Sequence, residues 1–243
     1  MRVIKRAIIL AGGSGLRLRP LTDDKPKAMV TVNGRPIAEI QLSWLKRNIK
    51  LEQIIFACSH KWERLKEYFG SEYNNIPIHY VVEDQPLGTG GAIKNVIHNL
   101  NISDEDVLVM NGDVITNLPI SRMIDWHISS QTIVTMLLVP YRSPYGVVHI
   151  DKLRMVRKFE EKPEFLDIWI NGGIYIIQAK RLIPFLPDKG DIERETFPKL
   201  VQYGEVSAYP FYGMWRAIDT IKDIREVEDE LTSIEDNSEQ RYI

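Results

Sequence analysis

The sequence predicts an α/β protein whose core is a mostly parallel, mixed sheet flanked by helices. Short β-branched runs alternate with amphipathic stretches from Val3 to Tyr141, the rhythm of parallel strands joined by crossover helices. A glycine-rich turn follows the first of these runs directly. After Pro140 the apolar segments crowd together with turn residues between them, as antiparallel strands do. Composition agrees with a globular chain: 243 residues, 44% hydrophobic and 26% charged, with 15 Gly and 13 Pro. That balance excludes disordered and fibrous classes.

The expected elements follow in order. Strands are read at Val3–Ala11, Gln53–Cys58, Pro77–Val82, Asp106–Asn111 and Thr132–Tyr141, separated by helices at Ile37–Asn48, Lys61–Phe69, Gly90–Leu100 and Ile120–Ser130. Closely spaced strands follow at Val147–Ile150, Met155–Glu160 and Ile168–Ile177, then helices at Ala179–Phe185 and Arg194–Tyr203, a strand at Val206–Tyr209 and a helix over Thr220–Leu231. No repeat, low-complexity tract or linker divides the chain. One domain over residues 1–231 is expected, with a polar, frayed tail at 232–243. Trp44 and Trp126 read as core.

Thirty-one Lys plus Arg against 33 Asp plus Glu leave a net charge of −2, so no global field draws the chain to nucleic acid or to an anionic membrane. Met1–Leu10 superficially resembles a secretory signal, but Gly12-Gly13 ends its apolar run too early. The longest other candidate, Thr132–Tyr141, falls well short of the roughly 20 apolar residues of a membrane span. A soluble, cytoplasmic protein is expected. Cys58 stands alone, so no disulfide framework exists, and its apolar strand argues for an inert thiol. The five histidines show no metal-ligand spacing.

Leu10-Ala11-Gly12-Gly13-Ser14-Gly15-Leu16-Arg17 runs from the first strand into a loop suited to a polyphosphate. Glycines let backbone N–H groups approach an anion, and an arginine forks onto phosphate oxygens. Neither the P-loop nor the dinucleotide fingerprint fits, because no Gly-Lys-Ser/Thr follows and the third glycine of the fingerprint is missing. Gly12 to Thr22, with Pro26-Lys27 and Val32-Asn33-Gly34-Arg35-Pro36, resembles the signature of sugar-1-phosphate nucleotidyltransferases, G-G-x-G-x-R-L-x-P-L-T, P-K and V-x-G-x-P. Leu16 departs from the usual Thr, so a hydroxyl contact to phosphate is expected to be missing.

Further segments carry the same resemblance. Gly88-Thr89-Gly90-Gly91 opens a helix whose free N–H groups suit an electronegative ligand, or is a plain helix start capped by Thr89. Five residues earlier, the resemblance places Glu83 against the base. A carboxylate can accept from both N1–H and the exocyclic amine of guanine, although a strand-end Glu83 facing solvent reads equally well. Asn111-Gly112-Asp113 delivers a carboxylate to the sheet's C-terminal edge, where Asp113 suits Mg²⁺. Trp215-Arg216-Ala217-Ile218-Asp219-Thr220 resembles the family's tryptophan-plus-aspartate motif without its usual Gly, making Asp219 the second metal ligand or the N-cap of the last helix. Glu161-Lys162-Pro163, Asn171-Gly172-Gly173 and Tyr145-Gly146 resemble the sugar-side motifs.

The resemblance implies a Rossmann-like, GT-A-like catalytic domain with a small antiparallel sugar-binding part and no C-terminal β-helix. It implies an enzyme that condenses an NTP with a sugar 1-phosphate to an NDP-sugar and pyrophosphate, with Mg²⁺ as cofactor. Arg17, Lys27 and Asp113 are the implied catalytic residues. Leu10, Ala11, Gly12, Gly13, Gly15, Glu83, Gly88 and Thr89 would bind nucleotide, Gly146, Glu161, Lys162 and Asn171 the sugar phosphate, and Asp113 with Asp219 the metal. Glu83 points first to mannose 1-phosphate or a heptose 1-phosphate with GTP, and second to glucose 1-phosphate with UTP, dTTP or CTP. Cytidylyl transfer to an alcohol phosphate, guanylyl transfer to a pterin cofactor, or a catalytically silent nucleotide-sugar-binding subunit are the other readings. Partners are the two small substrates, with no nucleic acid or membrane. Homo-oligomerisation stays open.

Overall fold

A computed structural model describes residues 4–102 and 105–239, with side chains to Thr232. Alternation of residues buried on opposite faces organises it. Along β1 (Arg6–Leu10), Ala7 and Ile9 face one way and Ile8 the other, all fully buried. A strand covered on both sides needs helices on both sides, and the chain supplies them.

A short hairpin, β2 (Thr31–Val32) and β3 (Arg35–Pro36), leads to α1 (Ile37–Asn48). Then come β4 (Gln53–Cys58), α2 (Glu63–Phe69), the short β5 (Glu72–Tyr73) and β6 (Ile76–Val82). The helix α3 (Gly88–Leu100), β7 (Asp106–Asn111), β8 (Val114–Thr116), α4 (Ile120–Ser130) and β9 (Val134–Arg142) complete the first part. The second part holds β10 (Val147–Ile150), β11 (Val156–Glu160) and the long β12 (Glu164–Gln178). It ends with α5 (Ala179–Leu182), α6 (Ile192–Glu195), α7 (Phe197–Gln202), β13 (Val206–Pro210), β14 (Trp215–Ala217) and α8 (Ile221–Glu239).

The central sheet has eight strands in the order β13-β9-β12-β7-β1-β4-β6-β5. The β1, β4, β6 and β7 pairings are parallel, whereas β12 runs antiparallel between β7 and β9. The mixed α/β architecture expected from the sequence is therefore present. Because β4 lies on one side of β1 and β7 on the other, their C-terminal ends open a crevice at the switch in strand order, where open α/β sheets bind ligands.

Two large apolar clusters cover the sheet faces. A third, smaller one gathers Leu18, Val30, Val32, Ile115, Ile218 and Ile224 beneath the glycine-rich loop. Several elements differ from expectation. The helix read at Arg194–Tyr203 breaks at Thr196, where Phe197-Pro198 start a new turn, a position that tolerates proline's missing N–H. The final helix continues beyond Leu231 to Glu239, through most of the tail expected to fray; residues 240–243 lie outside the described residues. Trp44 is buried, but Trp126 is half exposed on the outer face of α4. No described helix is long and apolar enough to cross a membrane.

Candidate active site

A cleft of about 580 Å³ opens at the C-terminal ends of β1 and β7. Its floor is set by local geometry. Gly112 donates its N–H to the Leu10 carbonyl at 3.0 Å, tying the turn after β7 to the loop after β1. Gly15 adopts φ +61, and a Cβ there would stand 2.8 Å from Thr22 Cγ2. Thr22 Oγ1 in turn donates to the Gly15 carbonyl at 2.9 Å. Gly15 and Thr22, seven residues apart in the motif, therefore lock each other, and only glycine fits that left-handed position.

Arg17, Lys27, Asp113 and Asp219 converge at this cleft. Lys27 Nζ donates to Asp113 Oδ2 at 2.5 Å and to Asp219 Oδ1 at 2.7 Å, and an Arg17 guanidinium nitrogen lies 2.8 Å from the same Asp219 oxygen. The Lys27 side chain is only 15% exposed, so its ammonium needs counter-charges, which the two carboxylates provide. Arg17 is 70% exposed, so its pair with Asp219 contributes little to folding. Burial pushes the Asp219 carboxyl up, but Lys27 and then Arg17 outweigh it and hold the group below the ordinary carboxylate range.

The juxtaposition comes from two three-residue strands. β14 pairs antiparallel with β8, Ala217 opposite Val114, and the next N–H, that of Ile218, donates to the Asp113 carbonyl at 3.0 Å. Ile115, Ile218 and Leu18 are buried together in the third cluster, so the residues beside the charged groups pack on one small core and hold the charges at its rim. Asp219 does not cap the last helix. Asp223 Oδ2 accepts from the N–H groups of Asp219 and Thr220, and Thr220 Oγ1 accepts from the Asp223 N–H, a reciprocal box that leaves the Asp219 carboxylate to the cleft.

Glu83, which also lines the cleft, follows β6, and its Oε2 accepts from the Leu87 N–H at 3.2 Å. Burial raises its carboxyl above the ordinary range, and the Leu87 bond offsets this only in part. The start of α3 at Gly88 is held by a neighbouring loop at its third and fourth residues. Gly90 and Gly91 donate to the Gly190 carbonyl at 3.0 and 3.2 Å, and Gly190 donates back to Leu87, so those N–H groups are taken. A Cβ on Gly91 would stand 2.7 Å from the Asp188 carbonyl oxygen, so the glycine makes room for the neighbouring loop. Thr89 does not cap either, since its hydroxyl donates to Glu193 at 2.6 Å and accepts from the Ile192 N–H.

All of Leu10, Ala11, Gly12, Gly13, Gly15, Glu83, Gly88 and Thr89 line the cleft, whereas Gly146, Glu161, Lys162 and Asn171 do not. Gly146 lies against Glu161 and under the Phe159 ring. Lys162 lies 3.8 Å from Glu226 on α8, and the adjoining Lys222 lowers its pKa. Asn171 is engaged at both ends of its amide, donating to Tyr175 Oη at 2.7 Å and accepting from the Gly173 N–H. Sequence reasoning missed Asp191, which reaches the cleft with the Gly190 loop and has no local motif to announce it. It also missed Asn111, whose buried Oδ1 has no hydrogen-bond partner; the Asn-Gly-Asp triplet was signal enough to find it. Cys58 is buried, and burial pushes its thiol up to about 12, consistent with an inert side chain.

Whether these residues fit a divalent cation can be tested on the donor set. Asp113 and Asp219 already share one cation, the Lys27 ammonium, so their oxygens converge on a common point. Among the described residues no three His, Cys, Asp or Glu side chains cluster. Two carboxylates suit Mg²⁺, which commonly takes one or two from the protein and its other ligands from phosphates and water.

Known proteins resemble this chain over nearly its whole length. The sequence profile of the nucleotidyl transferase family matches residues 6–234. The mannose-1-phosphate guanylyltransferase catalytic subunit beta of Drosophila melanogaster is 34% identical over 223 residues, 90% of this chain and 60% of that protein. The D-glycero-alpha-D-manno-heptose 1-phosphate guanylyltransferase of Campylobacter jejuni is 37% identical over 199 residues, 80% of this chain and 87% of that protein. In structure, HddC from Yersinia pseudotuberculosis superimposes with a TM-score of 0.74 at 27% identity, covering 94% of this chain and 100% of that one, and it has also been solved complexed with GMP-PN. The chain spans about 60% of the length of the Drosophila relative.

Proposed function

The chain belongs to the nucleotidyl transferase family, and from that premise we propose that it condenses GTP with mannose 1-phosphate or a heptose 1-phosphate to give a GDP-sugar and pyrophosphate. The observation that carries this reading is one cleft lined both by Glu83 and by the Arg17–Asp219–Lys27–Asp113 cluster. These two kinds of group suit the two parts of a guanosine triphosphate, a base that donates two hydrogen bonds and a chain of phosphates that needs cations.

A phosphate oxygen of the sugar 1-phosphate attacks the α-phosphorus of GTP, a new P–O bond forms, and the bond to the β-phosphate oxygen breaks in line to release pyrophosphate. A phosphate monoester is already a competent nucleophile, so the protein aligns and neutralises charge and needs no covalent intermediate. Gly12, Gly13 and Gly15 line the phosphate end with backbone, Arg17 neutralises the departing pyrophosphate, and Lys27 the reacting phosphates. Mg²⁺, with Asp113 and Asp219 as its protein ligands, supplies further neutralisation of both substrates when bound. Glu83 accepts from N1–H and the exocyclic amine of guanine. Glu161, Lys162 and Asn171, with Gly146, receive the sugar phosphate beside the cleft.

The test is a matrix of four NTPs against mannose, heptose and glucose 1-phosphates with Mg²⁺, read by pyrophosphate release and product mass. GDP-mannose or a GDP-heptose is expected. A UDP-, dTDP- or CDP-glucose product would overturn the assignment of substrates, and no pyrophosphate with any pair would overturn the activity.

A further inference from the structure

Thr89, which lines the cleft, and Asn171, which stands outside it, are joined by a series of hydrogen bonds that the reaction as described does not use. The series runs through Glu193 on α6 and Tyr175 on β12, neither of which lines the cleft. Thr89 Oγ1 donates to Glu193 Oε2 at 2.6 Å while accepting from the Ile192 N–H at 3.0 Å. The Tyr175 hydroxyl also donates to Glu193, and it accepts from Asn171 Nδ2 at 2.7 Å. Asn171 Oδ1 accepts in turn from the Gly173 N–H at 3.0 Å. Gly173 lies against Asn111 of the cleft wall, where a Cβ would stand 2.6 Å from Asn111 Nδ2, so Asn171 is seated close to the cleft.

These bonds have one possible direction. A backbone N–H can only donate and a carboxylate can only accept, so Gly173 at one end and Glu193 at the other fix every proton between them. Gly173 takes the amide oxygen of Asn171, which leaves Nδ2 to face Tyr175; the tyrosine, accepting there, must donate to Glu193. Burial above all, with the Glu193 charge beside it, pushes the Tyr175 hydroxyl far up and keeps it a donor. Its ring is fully buried and packs on Phe197 with centroids 5.0 Å apart, so the hydroxyl has no other place to go. Without the acceptor at Glu193 it would stand unpaired or turn its proton against the Asn171 amide, and an unpaired buried polar group is costly. Asn171 itself is exposed. One of its two N–H donors is spent on Tyr175, and the other has no acceptor among the described residues. A sugar hydroxyl or a phosphate oxygen is such an acceptor.

We propose that Glu193 is a positioning residue for the sugar 1-phosphate: through the Tyr175 hydroxyl it holds the Asn171 amide so that an N–H donor, and not the carbonyl oxygen, is offered to the incoming substrate. This rests on the assignment of Asn171 to the sugar 1-phosphate. Glu193 itself touches neither substrate, and its effect on the reaction passes through Asn171.

Two near-isosteric variants of the full chain, Tyr175→Phe and Glu193→Gln, test this, with circular dichroism and thermal melting to verify that each folds. Steady-state kinetics use the NTP and sugar 1-phosphate pair that the wild type turns over fastest. Each variant is expected to raise the KM for the sugar 1-phosphate about tenfold, the factor that 1.4 kcal/mol represents, with the KM for the NTP unchanged in Tyr175→Phe. In an Asn171→Ala background Glu193→Gln should have no further effect on that KM, because residues that act through one another are not additive. An equal further loss in that background overturns the proposal. So does a lowered melting temperature with the sugar-phosphate KM intact, which would make Glu193 merely structural, or a rise in the KM for the NTP alone, which would give Glu193 to Thr89. A wild type inactive with every pair would remove the activity and not the contact. The ligand-free variants are then read by isotope-edited NMR of the Asn171 side-chain amide: both should move its signal, and an amide unmoved by Glu193→Gln overturns the role of Glu193.

Discussion

Single charged residues line the cleft, and each makes a measurable prediction. Lys27 bridges Asp113 and Asp219, and its replacement by alanine leaves two carboxylates facing each other without their cation. Turnover of Lys27→Ala, and of Arg17→Ala or Asp113→Ala, is expected to fall at least ~100-fold, the scale of one lost transition-state electrostatic contact, with circular dichroism unchanged. Glu83 gives a pH dependence. Because burial raises its carboxyl in the folded state, the ionised group at neutral pH is a net cost to folding; its contribution is fully present below the unfolded pKa, about 4.3, and lost as pH rises through the higher folded value. Glu83→Gln should therefore raise the melting temperature at pH 7, and the gain should vanish near pH 4. The same variant should raise the KM for GTP by about 10- to 100-fold, from the ~1.5–3 kcal/mol of hydrogen bonds to a charged group. In the wild type that KM should climb on acidification above the ordinary glutamate range, and a flat profile there would remove Glu83 from base recognition.

At the scale of elements, function depends on close contacts between loops and on two very short strands. The Gly190 loop is clasped to the start of α3, and Gly91→Ala would drive a Cβ into the Asp188 carbonyl. Backbone must then shift. A cost of about 1–3 kcal/mol is expected, as for overpacking, together with a higher KM for GTP because Thr89 and Asp191 line the cleft beside this contact. Urea unfolding and steady-state kinetics measure both. Ile218, fully buried between Asp219 and the β8–β14 ladder, predicts a coupled loss: Ile218→Ala should cost about 2–5 kcal/mol and reduce kcat by loosening Asp219. A variant that loses stability with kcat intact would show that Asp219 is held by Lys27 and Arg17 and not by the core beneath it. The helices and central strands were legible in the sequence, because hydrophobic period speaks over ten or more residues. β8 and β14 were not, since three residues carry no period.

For the whole molecule, the cleft joins segments near residues 15, 27, 83, 113 and 219 of one chain, so it exists only when the domain is folded. Ligands that bind it must stabilise the entire fold. GTP with Mg²⁺ at about 100 times its Kd is expected to add ~2.7 kcal/mol to unfolding, seen as a rise in melting temperature. Chelation with EDTA, or Asp113→Ala, should abolish most of the rise and the activity with it. An undiminished shift in Asp113→Ala would remove that residue from the nucleotide site. The sequence alone determined the layered α/β architecture, the phosphate-suited loop and the identity of the charged residues, because hydrophobic period, glycine placement and residue chemistry are local properties of the chain. Only the tertiary structure decided that Asp113 and Asp219 share one lysine, that Asp223 and not Asp219 caps the last helix, and that the Gly90 and Gly91 amides serve a neighbouring loop. Those facts depend on which distant backbone groups come within hydrogen-bond reach, and that is set by strand pairing and packing across the whole core, not by any stretch of neighbours.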